Sequence, residues 1–137
     1  MKKVLVLIIL IVVIGAIFYF WQKTKMVYVP IDVENYSWTV NFQFSDTDNN
    51  ILELNNQKSL TLSEITETIA QNQGWDYQYK DYGDMGILVT KIKDKENGQD
   101  QKYWQYFVAG EQPQISVDKY MPNDKSYIEW KFQESEL

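Results

Sequence analysis

Nineteen carboxylates and thirteen lysines are the chemical resources of this 137-residue chain, which has no His, Cys or Arg. Asp46, Asp48 and Asn50 put oxygen donors on alternate residues, as the start of a calcium-binding loop does. Ile51 stands where that loop turns on Gly, and Gln57 where it needs a bidentate Glu, so a solvated turn is expected. Asp81, Asp84, Asp94, Glu96 and Asp100 offer carboxylates for a general acid–base pair, which must flank a substrate with separated pKa values. Nothing in their spacing fixes such a pair, and in an acidic chain they read as solvated charge.

The missing residue types close further routes. Without Cys there are no disulfides, thiolates or Cys-based metal sites, and without His the commonest general base and metal ligand is gone. No glycine loop could cradle phosphate, and no Ser has a motif that would activate it. We expect no catalytic residues, no metal site and no enzymatic activity. Beyond Lys25, nine Lys face nineteen acidic residues, a net charge of −10. That charge and the absence of Arg argue against a nucleic-acid partner.

The elements that must carry any site begin with the run from Val4 to Trp21, eighteen residues without a charge. As a helix it would be about 27 Å long, close to the hydrocarbon thickness of a bilayer. A cleaved signal peptide is the rival reading, because Met1-Lys2-Lys3 also resembles an n-region. Cleavage at Gly15-Ala16, the small residues of the run, would leave Ile17 to Trp21 as an exposed apolar terminus. Tyr19, Trp21, Lys23 and Lys25 instead suit the headgroup level. Residues 1–25 are expected to form an uncleaved signal-anchor crossing the cell membrane once through residues 4–21. The N-terminus would be cytoplasmic and the C-terminal domain extracytoplasmic. Residues 26–35, with Pro30, form a stalk, and residues 36–137 form one domain.

Within that domain Tyr36, Trp38, Val40, Phe42 and Phe44 alternate with polar residues, the period of a half-buried strand. Residues 45–50 turn, and residues 51–54 return. Thr61-x-x-Glu64 is a capping-box signal before Leu62, Ile65, Ile69 and Ala70 on one helical face, and Gly74 ends the helix. Strands follow at residues 87–92, 103–108 and 127–132, with Asn97-Gly98 as a hairpin connection between the first two. Two strands, one helix and then several strands is the order of an α+β β-grasp domain, a mixed sheet wrapped around one helix. Tyr103-Trp104-Gln105-Tyr106-Phe107 carries aromatic groups on both faces, so one face covers the helix and the other leaves an aromatic surface. Roofing of a thin sheet by the same side chains is the plainer alternative.

Tyr82-Gly83-Asp84, Gly86-Ile87, the strand Tyr103 to Val108, Asp118-Lys119-Tyr120-Met121-Pro122-Asn123-Asp124 and Ile128-Glu129-Trp130 follow in order. This series resembles the transcobalamin-like C-terminal domain family, β-grasp domains of bacterial surface proteins and of vitamin B12 carriers. The resemblance runs from about Trp38 to Phe132. It implies a cobalamin or other corrinoid as ligand and no other cofactor. The ligand-facing residues it implies are Trp104, Gln105, Gln114, Ile115 and Ser116, beside an aromatic surface of Tyr103, Tyr106 and Phe107. It assigns Asp124, Ile128 and Glu129 to the scaffold. Two turns depart from the family pattern, Ala109-Gly110 and Asp124-Lys125-Ser126, and the second puts Lys where a residue suited to positive φ is usual. The helical domain that completes the corrinoid site in the B12 carriers has no counterpart in this chain.

The expectation is therefore a membrane-anchored, extracytoplasmic, non-enzymatic binding module that presents an aromatic sheet surface to a small ligand or a partner protein. The alternative is a structural or surface-display domain that docks on another cell-envelope protein with no small ligand.

Overall fold

The computed structural model describes residues 34–135. The apolar run 4–21 and most of the stalk lie outside them. Among the described residues no helix is long and apolar enough to cross a membrane.

Strand β1 (Tyr36–Gln43) forms where the alternation predicts it, and Trp38, Val40 and Phe42 are fully buried. Strand β2 (Asn49–Asn56) pairs antiparallel with it, Val40 opposite Leu52. Two flanking Asn residues at each end are thus drawn into a strand longer than its apolar centre, because the partner ladder overrides their weak β propensity. Helix α1 (Leu62–Gln73) starts at the Thr61 cap with both capping-box bonds made, and ends at Gly74 in the left-handed conformation. Leu62, Ile65, Ile69 and Ala70 form its buried face.

The chain continues through β3 (Tyr77–Asp81), β4 (Ile87–Ile92), β5 (Lys95–Glu96), β6 (Lys102–Val108) and β7 (Tyr127–Glu134). These make an α+β fold of two sheets, one of four strands in the order β2-β1-β7-β6, the other of three in the order β3-β4-β5. The four-stranded sheet is mixed: β1 and β7 run parallel at its centre, Val40 beside Ile128, and the outer pairs are antiparallel. Its inner face meets the helix in a core of Trp38, Phe42, Ile65, Ile128, Trp130 and Phe132. Thr66 is fully buried there. Its hydroxyl donates to the Leu62 carbonyl at 2.7 Å and accepts from Trp130 Nε1 at 2.9 Å, so the one polar group facing the indole is satisfied at both ends.

The connection from β6 to β7 caps the helix start. The N–H groups of Leu62 and Ser63, orphaned in the first turn, donate to the carbonyls of Tyr120 at 2.8 Å and Val117 at 3.0 Å. Farther along, Asp124 accepts the Ser37 N–H at 2.8 Å, and Lys125 N–H donates to the Ser37 carbonyl at 2.7 Å. Lys125 adopts φ 61° to do so. The turn therefore keeps its left-handed residue despite the Lys, held by both ends of Ser37.

The expected hairpin between residues 87–92 and 103–108 does not form. Strands β4 and β6 belong to different sheets, and the Asn97 side chain joins them instead. Its Nδ2 donates to the Val89 carbonyl at 2.9 Å, while its Oδ1 accepts the Trp104 N–H at 2.8 Å. A carboxamide thus supplies the donor and acceptor that a neighbouring strand would have given.

Candidate functional site

Where β4 and β6 diverge beyond Asn97, a half-open cavity of about 250 Å³ lies between the sheets. Ile87 and Val89 form one wall, Trp104 and Tyr106 the other, and Ile115 and Val117 border it from the loop after β6. Leu88 and Ile115 bring apolar groups to its exposed rim.

The loop is hydrogen-bonded to both walls. Tyr106 donates its hydroxyl to the Ile115 carbonyl. Burial pushes the Tyr106 phenol up to about 12, so it stays neutral and keeps donating throughout the physiological range. Opposite, the Ser116 hydroxyl accepts the Ile87 N–H at 2.9 Å, lies 3.0 Å from the Ile87 carbonyl and contacts the Asp118 carboxylate. Gly86 makes this approach feasible. A Cβ there would stand 2.3 Å from Ser116 Oγ, and the backbone has φ +91°.

The Ser116 hydroxyl, and next the Ile87 N–H, hold the Asp118 carboxyl below the usual carboxylate range. A carboxyl whose pKa is depressed by folding contributes stability above its unfolded pKa of about 3.9, and that contribution is lost as pH falls through the folded value. Asp118→Asn should therefore lower the urea midpoint near neutrality. The gap to the parent should begin to narrow below about pH 4, where the carboxyl of the unfolded chain protonates, and close only as the folded carboxyl protonates at lower pH. A gap independent of pH between 7 and 3 would show that the charge contributes nothing.

Four of the five residues implied as ligand-facing, Trp104, Gln105, Ile115 and Ser116, border this one cavity, and Gln114 does not. Their chemistry differs from a ligand-facing set in one respect: most polar side chains are already committed. Gln105 Nε2 donates to the Glu134 carbonyl at 3.1 Å, and Gln105 Oε1 accepts from Gln133 at 3.4 Å. Gln114 Nε2 donates to the Gln112 carbonyl at 3.3 Å. Trp104 Nε1 donates to the Lys95 carbonyl at 2.9 Å.

The grouping of Tyr103, Tyr106 and Phe107 divides across the sheet. Tyr106 is buried on the inner face, whereas Tyr103 and Phe107 lie on the outer face, with Lys131 Nζ 4.7 Å above the Phe107 ring. The Asn97 clip, Gly86 and Asp118 were not identifiable as site-forming residues from spacing alone. Asn97-Gly98 carries a turn signal whether or not the Asn side chain reaches across two sheets.

Residues 59–134, more than half of the chain, match the family described as a domain of unknown function, DUF4430. The chain belongs to the DUF4430 family. Comparison with curated proteins gives no match. Among solved structures, this DUF4430 domain is similar to a proposed metal-binding protein from Ruminococcus gnavus ATCC 29149. The TM-score is 0.61 at 22% identity, over 74% of this chain and 99% of the other. It is also similar to haptocorrin in complex with Cbi, with a TM-score of 0.60 at 12% identity, over 74% of this chain and 26% of haptocorrin. At these identities the likeness is one of fold, and the DUF4430 domain corresponds to about a quarter of haptocorrin. Among the described residues no three Asp or Glu side chains are grouped to share a metal ion.

Proposed function

We propose that this DUF4430 β-grasp domain is a non-enzymatic binding module, tethered through residues 4–21 at the outer face of the cell membrane, which takes one edge of a corrinoid into the β4–β6 cavity. The cavity itself carries the reading. It lies where two sheets part, most of its polar side chains are already hydrogen-bonded, and Leu88 and Ile115 bring apolar groups to its rim. The fold is shared with haptocorrin, which was solved with Cbi bound. A volume of about 250 Å³ falls below the roughly 300–1,000 Å³ of pockets that enclose a drug-sized ligand. The domain would hold an edge, and a second surface, supplied by another envelope protein, would cover the rest. Tethering to the same membrane raises the effective concentration of that second component.

The reading is tested by titrating cobalamin and cobinamide into the detergent-solubilised full chain while following tryptophan fluorescence and visible absorbance. Trp104 and Trp130 border the cavity, so occupancy should quench emission. No change up to about 1 mM ligand, an affinity worth only about 4 kcal/mol, would exclude the corrinoid. The alternative, docking on a partner protein without a small ligand, is favoured by one observation: among the described residues β6 is an edge strand, paired with β7 on one side only.

A further inference from the structure

We propose that the β4–β6 cleft accepts an extended peptide segment of a partner protein as an added strand on the free edge of β6. The inference rests on the cavity being the binding site, takes the partner-protein reading of it in place of the corrinoid, and names the chemical class it would read there, main-chain amides.

In an antiparallel pair, successive residues direct their N–H and C=O groups alternately toward and away from the partner strand. The Trp104 N–H goes to Asn97 Oδ1 and the Val108 N–H to the Glu111 carbonyl, so both point away from β7. Tyr106 lies two residues from each. Its N–H and C=O, with the Trp104 C=O, therefore face the same open side. All three turn away from the β6–β7 ladder, and among the described residues no strand pairs with β6 on that side. Across the cleft, Ser116 occupies the Ile87 N–H and Asn97 the Val89 C=O, and the Val89 N–H, two residues along from that of Ile87, faces the same gap. Strand edges left in this state are templates for pairing, and unmet backbone groups are rare in folded proteins.

The cleft already recognises one amide. The Asn97 carboxamide accepts from β6 and donates to β4, as a peptide group of an intervening strand would. An added segment would continue from that rung. In either direction, its alternate residues would make three main-chain bonds, to the Trp104 C=O and to the Tyr106 N–H and C=O. The residue between two such rungs would face the apolar surroundings of Val117, Ile115 and Trp130. A domain with net charge −10 and no Arg favours a neutral or basic segment over an acidic one.

Amide hydrogen exchange on the full chain in detergent micelles tests the edge directly. Without ligand, the Tyr106 amide should exchange about tenfold or more faster than those of Gln105 and Phe107, which pair with β7. Equal protection would overturn the proposal. Heptapeptides would then be selected from a random displayed library on the parent chain, with Ile115→Trp, which crowds the mouth of the cleft, for counter-selection. A selected peptide should slow Tyr106 exchange about tenfold. N-methylation should abolish its binding at alternate residues and spare it at those between. Recovery of no such peptide, or binding indifferent to N-methylation, would refute strand addition. If a peptide or cobinamide shifts cavity resonances while Tyr106 exchange is unchanged, the cavity stands as the site and strand addition fails. If neither shifts them, both readings fail.

Discussion

Asn97→Ala should destabilise the domain by about 2–3 kcal/mol, because it strips the Val89 carbonyl and the Trp104 N–H of their partners at once. Each group lies in a partly buried junction between two sheets that share no ladder there. Water can reach it incompletely, so the cost exceeds that of losing an exposed bond. Urea unfolding of the full chain in detergent, followed by tryptophan fluorescence, measures the effect, and Asn55→Ala on the exposed side of β2 is the control. Equal costs for the two variants would show that the sheets need no clip. Asn97→Asp separates the two halves of the interaction. A carboxylate still accepts the Trp104 N–H but sets negative charge against the Val89 carbonyl, whereas the protonated acid can donate. Its deficit should therefore be largest near neutrality and shrink as pH falls toward about 4.

Asn97 also marks the boundary of what the sequence makes legible. Local periodicity predicts β1, the apolar face of α1 and the strands at residues 87–92 and 127–132, since each signal depends on neighbouring side chains alone. The Thr61 cap is legible for the same reason: donor and acceptor lie three residues apart. Pairing is another matter. Asn97-Gly98 reads as a hairpin turn, yet the flanking strands part into two sheets, and only the three-dimensional reach of one carboxamide decides it. The same limit applies to β6, where large apolar groups on both faces leave the period-2 pattern without a preferred side. The structure resolves the ambiguity by burying Trp104 and Tyr106, because Phe132 and Trp130 stand opposite them on β7. At the candidate site, resemblance brought four residues to one cavity that spacing alone could not. It could not show that the Ser116 hydroxyl is consumed by Ile87 and Asp118, nor that Gly86 is required by a contact thirty residues away.

Trp104→Ala should cost about 3–5 kcal/mol, the range for deleting a large aromatic from a packed core. Resemblance places Trp104 at the ligand, but its surroundings are those of a core residue. It is 5% exposed and meets the rings of Phe44, Trp130 and Phe132 at centroid distances of 5.6, 6.3 and 5.2 Å. The first two contacts are edge-to-face, the geometry in which an aromatic pair adds to burial alone. Trp104→Phe should retain much of this packing. It would lose the 2.9 Å bond to the Lys95 carbonyl and some volume, for about 1–2 kcal/mol. The division of labour along β6 follows from these contacts: the Trp104 side chain ties the sheet to the core, and its carbonyl, with the Tyr106 backbone, faces the cleft. The two functions come apart in experiment. Trp104→Phe should unfold at lower urea yet protect the Tyr106 amide with a selected peptide as the parent does, because the main chain is unchanged. Loss of binding with unaltered stability would assign the indole to the ligand instead.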